Sequence, residues 1–169
     1  MIREVEFMSQ ARAEHFKPLA REAIISITGS GFPGAKLRKG WTRVLRMVFD
    51  DVERPGYGAI PFDTDHAEVI LGWLDAVQDK VDRIFVHCHA GKNRSAAVAK
   101  FIAETYDLPG GVRVYEDGNR RVHRLLCIQW RTRMNRVSVG GTHSPFRVEK
   151  KYGRPYEAQE GVRDEQRNP

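Results

Sequence analysis

A cysteine, an arginine and a serine with the potential for joint chemistry stand in the run Val86-His-Cys-His-Ala-Gly-Lys-Asn-Arg-Ser95. Five residues separate Cys88 from Arg94. A loop of that size, leading into a helix start, can curl until its backbone N–H groups converge on one point. Those groups belong to His89, Ala90, Gly91, Lys92, Asn93 and Arg94. A helix N-terminus adds free N–H groups and about half a positive charge, which suits a phosphate dianion. Gly91 supplies a backbone conformation that a β-carbon would oppose. The Arg94 guanidinium can fork two N–H bonds onto two phosphate oxygens. Cys88, at the end of the preceding strand, would lie beneath the phosphorus atom. The converging amides and cations favour a thiolate there, and a thiolate is a nucleophile.

Such a loop needs a strand before it and a helix after it, and the surrounding pattern supplies both. Arg83–His87 is a short apolar strand. Ser95–Tyr106 reads as a helix with Val98, Phe101, Ile102 and Thr105 on one side, ended by Leu108-Pro-Gly-Gly111. Upstream, Ile2–Phe7 alternates like a strand, and Ser9 can cap a short helix ending near Pro18. Ala23–Thr28 is a β-branched apolar run that stops at Gly29-Ser-Gly31 and reads as a buried strand. A Gly-rich loop follows, then a strand over Trp41–Phe49 with Asp50-Asp51 at its end. Asp63 or Asp65 caps a helix that places Val69, Ile70, Trp73, Leu74 and Val77 on one face. A last helix over about Asn119–Met134 buries Val122, Leu125, Leu126 and Trp130. Strands alternating with helices predict an α/β fold, with a central, mostly parallel sheet flanked by helices. The expected organisation is one domain over 1–136 and a polar, flexible tail over 137–169.

The loop resembles the Cys-x-x-x-x-x-Arg-Ser/Thr signature of the protein tyrosine phosphatases, in their compact dual-specificity or bacterial-type branch. His87, Cys88, Gly91, Arg94 and Ser95 carry the resemblance. Three weaker likenesses follow the same order. Leu45–Pro55 is similar to the family's general-acid segment, Pro61–His66 to the lead-in of its central helix, and Asn119–Leu126 to the start of its last helix. The resemblance implies a phosphatase P-loop between strand and helix, and hydrolysis of a phosphomonoester through a phosphocysteine intermediate. It implies Asp51 as the acid that protonates the leaving group and then activates water, with Asp50 as the alternative. It implies that Ser95 assists departure of the thiolate and that His87 organises the loop. Asn93 and Lys92 depart from the commonest family pattern, and Lys92 adds a cation at the rim. No cofactor is implied.

The implied substrate is a phosphorylated protein. The alternatives are a non-protein polyanion with the same chemistry, such as an inositol phospholipid or an RNA 5′ phosphate, and a non-catalytic phosphate-binding module. A rhodanese-type sulfurtransferase also uses a loop cysteine, but has no reason to keep the Asp51 segment and the Arg-Ser ending. Taken singly, each residue has a plainer reading: Cys88 as a small core hydrophobe, Arg94 and Lys92 as solvated charges, Ser95 as a helix cap, Asp51 as an ordinary loop carboxylate. Their joint spacing argues otherwise. His87 and His89 flank Cys88, but neighbours on an extended chain point to opposite sides, and no second ligand cluster stands at zinc spacing, so no metal site is expected.

Composition agrees with a soluble globular domain: 41% hydrophobic and 30% charged in 169 residues. No apolar stretch approaches the length of a membrane span, and the start has no apolar core of a secretory signal. Two cysteines, Cys88 and Cys127, are too few for a disulfide scaffold, which points to a reducing, cytoplasmic setting. A Cys88–Cys127 bridge as a redox switch is the alternative. Residues 1–110 balance fifteen Lys/Arg against fifteen Asp/Glu, whereas residues 111–136 hold seven Arg against Glu116 and Asp117. That basic segment reads first as a solvated helix face and second as a patch for polyanions.

Overall fold

The structure is a computed structural model that describes residues 1–54, 56, 58–109 and 118–138. Among the described residues four strands make one sheet: β1 (Glu4–Ser9), β2 (Glu22–Thr28), β3 (Arg43–Val48) and β4 (Arg83–Cys88). Four helices join or follow them: α1 (Gln10–His15), α2 (Thr64–Val77), α3 (Arg94–Thr105) and α4 (Arg120–Ser138). The sheet order is β1-β4-β2-β3, and every pairing is parallel. The two central strands are those with continuous apolar runs. β2 is buried at every position and β4 from Ile84 onward, as expected for strands covered on both faces.

The order of strands decides which face each connection covers. The chain moves from β1 past the place of β4 to β2, and later returns from β3 past β2 to β4. Crossovers between parallel strands are right-handed, so connections running in opposite directions lie on opposite faces. Ala13 of α1 accordingly packs with Met8, Ile24, Trp41 and Phe85 on one face. On the other, Ile70, Leu71 and Leu74 of α2 pack with Ile25, Ile27, Ile84 and Val86. α3 and α4 join this larger core through Val98, Phe101, Ile102, Val122 and Leu126. Phe49, Phe62, Phe85 and Phe101 are fully buried, each contributing about 1.5–3 kcal/mol relative to exposure.

The helix ends follow from their residues. Ser9 caps α1 by accepting from the Arg12 N–H at 3.3 Å. Asp63, not Asp65, caps α2 in a reciprocal capping box with His66. The buried stripe of α2 is His66, Ala67, Ile70, Leu71, Leu74 and Val77, with Val69 and Trp73 only half-buried on its flank. This stripe is rotated from the expected one because α2 packs against both β3 and α4. α3 is buried almost all round, from Arg94 to Ala103, and Thr105 is half-buried at its margin. α4 continues to Ser138, past the expected end at Met134. Residues 139–169 of the expected tail and residues 111–117 of the basic segment lie outside the described residues. Among the described residues no helix is long and apolar enough to cross a membrane.

Candidate active site

All four strands end on one side of the sheet, because all are parallel. Ser9 lies in register with Cys88, Ser26 with His87, and Thr28 with Val48. In open α/β sheets this carboxyl end is where ligands bind. The segment 89–93 crosses it from β4 to α3.

Gly91 explains how the segment lies down. Its φ is +68°, and a β-carbon there would stand 2.3 Å from Ser9 N and 2.4 Å from the Met8 carbonyl carbon. Only glycine lets the loop press against the end of β1. Two backbone bonds hold its flanks: Gln10 N–H donates to the His89 carbonyl at 3.2 Å, and Asn119 N–H to the Asn93 carbonyl at 3.4 Å. Asn93 occupies the cap position of α3 without a side-chain cap bond. The first-turn amides of α3 therefore have no side-chain acceptor from the cap residue.

Cys88 is buried at the strand end, and its Sγ lies 3.1 Å from Ser95 Oγ. Arg94 is only 7% exposed. Its Nη1 donates to the Phe49 carbonyl at 2.8 Å, while its Nε is buried with no hydrogen-bond partner among the described residues. A buried, unpaired guanidinium N–H is costly, and an anion beside it would remove that cost. His87 is fully buried, with Nε2 2.7 Å from Ser26 Oγ on β2. Burial pushes its pKa down to about 4, so the ring is neutral near neutral pH and ties the base of the loop to the next strand. His89, Ala90 and Lys92 are exposed at the rim. The His89 ring lies 6.1 Å from that of Phe32, itself 67% exposed.

The adjacent carboxylates Asp50 and Asp51 have different surroundings. Asp50 accepts from Ser30 N–H at 2.8 Å, from the Ser30 hydroxyl, and from Ile60 N–H at 2.8 Å. Burial alone would raise its pKa. The Ser30 and Ile60 donors and the Arg94 charge outweigh burial and hold it below the usual carboxylate range. Asp51 is exposed, and its Oδ1 accepts from Asn119 Nδ2 at 2.8 Å.

The structure thus brings Cys88, Arg94, Ser95 and Asp50 to one end of the sheet, with Asp51 tied through Asn119 to the loop at Asn93. His87 and His89 do not converge: one faces Ser26, the other the surface. Four contributors were missed in the sequence: Ser26, Ser30, Asn119 and the Phe49 carbonyl. Only Asn119 carried a local signal, as a residue suited to begin a helix; its Oδ1 accepts from Val122 N–H at 3.1 Å. Cys127 is half-buried on α4, and both cysteines are free thiols. No protein-family model matches the chain, and a search of curated proteins also returns no match.

Proposed function

We propose that the chain is a cysteine-dependent phosphatase that hydrolyses phosphomonoesters, with segment 88–95 as its P-loop. The observation that carries this reading is Arg94, buried at the start of α3 with an unpartnered Nε. A phosphoryl oxygen would supply the missing acceptor while loop amides took the others. The Cys88 thiolate would attack phosphorus as the bond to the leaving oxygen breaks, and Asp51 would protonate that oxygen. Asp51, now a carboxylate, would take a proton from water. That water would displace Cys88 from the phosphocysteine and release inorganic phosphate. The Ser95 hydroxyl, already within hydrogen-bond reach of Sγ, would donate to the departing sulfur. Asp50 fits the acid role less well, because its donors hold it ionised. Its role in this reading is to orient and balance Arg94.

The favoured substrate is a phosphorylated protein, phosphotyrosine first and phosphoserine or phosphothreonine with it. One observation favours the polyanion alternative: a groove of about 480 Å³ lined by Glu53, Arg54, Arg120, Arg121 and Arg124. It adjoins the Asp51 segment, since Arg120 N–H donates to Glu53 at 3.3 Å. Turnover of phosphopeptides, inositol phosphates and triphosphate-ended RNA, compared side by side, separates these substrates.

Hydrolysis of an aryl phosphate tests the chemistry itself. Cys88→Ser is expected to abolish turnover while vanadate or phosphate still binds. Arg94→Ala is expected to lose both. Undiminished turnover in Cys88→Ser would end the phosphocysteine mechanism, and absence of hydrolysis in the native chain would leave a binding module.

A further inference from the structure

Away from the sheet end, three side chains capable of holding a metal meet where α3 and α4 pack. They are Glu104, His123 and Cys127, and one ligand atom from each lies within 4.8 Å of the others. His123 and Cys127 are four residues apart on α4, hence one above the other on the same helix face. Glu104 comes from the last turn of α3, ten residues beyond Arg94 and so about 15 Å along the helix from the loop. The site does not depend on the proposed phosphatase chemistry.

We propose that Glu104, His123 and Cys127 form a zinc site that clamps α3 to α4, with a water molecule as fourth ligand. The distances bring the three ligand atoms near the spacing that one ion needs. Tetrahedral zinc with ordinary bond lengths needs roughly 3.3 Å between its nitrogen and oxygen ligands and roughly 3.6 Å between nitrogen and sulfur. His123 Nε2 lies 2.7 Å from Glu104 Oε2 and 3.8 Å from Cys127 Sγ. These two pairs need changes of about 0.6 Å or less, and the Cys127 sulfur, which lies 3.9 Å from His123 Nδ1 as well, must turn by side-chain rotation toward the Nε2 edge of the ring. Lys100 pairs with the other carboxylate oxygen, Oε1, at 3.8 Å, which leaves Oε2 turned toward His123. The set of thiolate, imidazole and carboxylate suits zinc rather than magnesium or calcium, which prefer oxygen alone. Side-chain exposures of 52% for Glu104 and 27% for His123 give the ion a path from solvent. On binding, the Cys127 thiol proton goes to solvent, and the imidazole proton that Nε2 shares with Glu104 gives way to one on Nδ1, which frees the Nε2 lone pair for the ion. This cluster escapes a reading of spacing along the chain because its third member lies on a different helix.

The test uses the full chain with Cys88→Ser, so that only one thiol remains, titrated with cobalt(II) and then zinc. The expected result is one equivalent of cobalt bound, a thiolate-to-cobalt charge-transfer band, tetrahedral d–d absorption, displacement by zinc, and a higher Tm with zinc present. Adding Cys127→Ala should abolish the band. Adding His123→Ala or Glu104→Gln should weaken binding by about tenfold or more, while circular dichroism without metal shows that each variant folds. No charge-transfer band, or a band that survives Cys127→Ala, overturns the proposal. So does equal affinity after loss of His123 and Glu104, which would mean a lone thiol binding metal by itself.

Discussion

Asp50 accepts three hydrogen bonds and feels the charge of Arg94, whereas its neighbour Asp51 is exposed and bonded to Asn119. If Asp51 is the acid, only substrates with poor leaving groups need its proton. Asp51→Asn should then slow alkyl phosphates by about 10²–10⁴-fold and activated aryl phosphates far less. A series of leaving groups measures this as a steeper dependence of kcat/KM on leaving-group acidity. The same steepening in Asp50→Asn instead would move the role one residue back. Gly91 gives a second residue-scale expectation. Its replacement by alanine meets backbone, Ser9 N at 2.3 Å, and a φ of +68°. Neither can relax without moving the end of β1. Gly91→Ala should destabilise by about 1–3 kcal/mol in urea unfolding and lower turnover, because the loop amides lose their aim.

The start of α2 braces the strand that leads to these carboxylates. Asp63 and His66 bond reciprocally, and His66 Nε2 reaches the Val48 carbonyl at 3.1 Å. Asp63→Ala should therefore lower the urea midpoint by an amount equivalent to about 1 kcal/mol with an unchanged m-value. A change in m would mean that the unfolded or native ensemble itself had altered. The cap was legible in the sequence as one of two residues, Asp63 or Asp65, and the eight elements and the turn between Cys88 and Arg94 were legible too, because each is written in residues a few positions apart. What was not legible joins distant stretches. The insertion of β4 between β1 and β2 pairs Glu4 with Arg83, and nothing within either segment names the other. Ser26 beneath His87, Ser30 on Asp50 and the Phe49 carbonyl on Arg94 are likewise contacts across 20 or more positions. The rotation of the α2 stripe escaped for the same reason, since the side of a helix that is buried depends on what packs there.

At the scale of the molecule, the sheet separates its charges by end. At the amino end, Arg83 bridges Glu4 and Glu22 across three strands. At the carboxyl end lie the buried guanidinium of Arg94 and the buried ring of His87, which desolvation, with help from the Arg94 charge, keeps uncharged. That neutrality makes stability depend on pH. The pKa of His87 is about 4 when folded, against 6.5 for the free group. Between these values the unfolded chain binds a proton that the folded chain refuses, so stability is complete above pH 6.5 and falls as pH drops toward 4. The shift corresponds to about 3 kcal/mol, a large part of a domain's usual stability of about 5–15 kcal/mol. Below pH 4 this source is exhausted. Further loss then comes from carboxylates with lowered pKa such as Asp50, whose stabilisation disappears as they protonate. Urea midpoints from pH 7.5 to pH 4 should fall steadily in the native chain and clearly less in His87→Gln, whatever the absolute stability of that variant. Parallel slopes in the two proteins would place the proton uptake on another group and remove the argument for a neutral histidine under the loop.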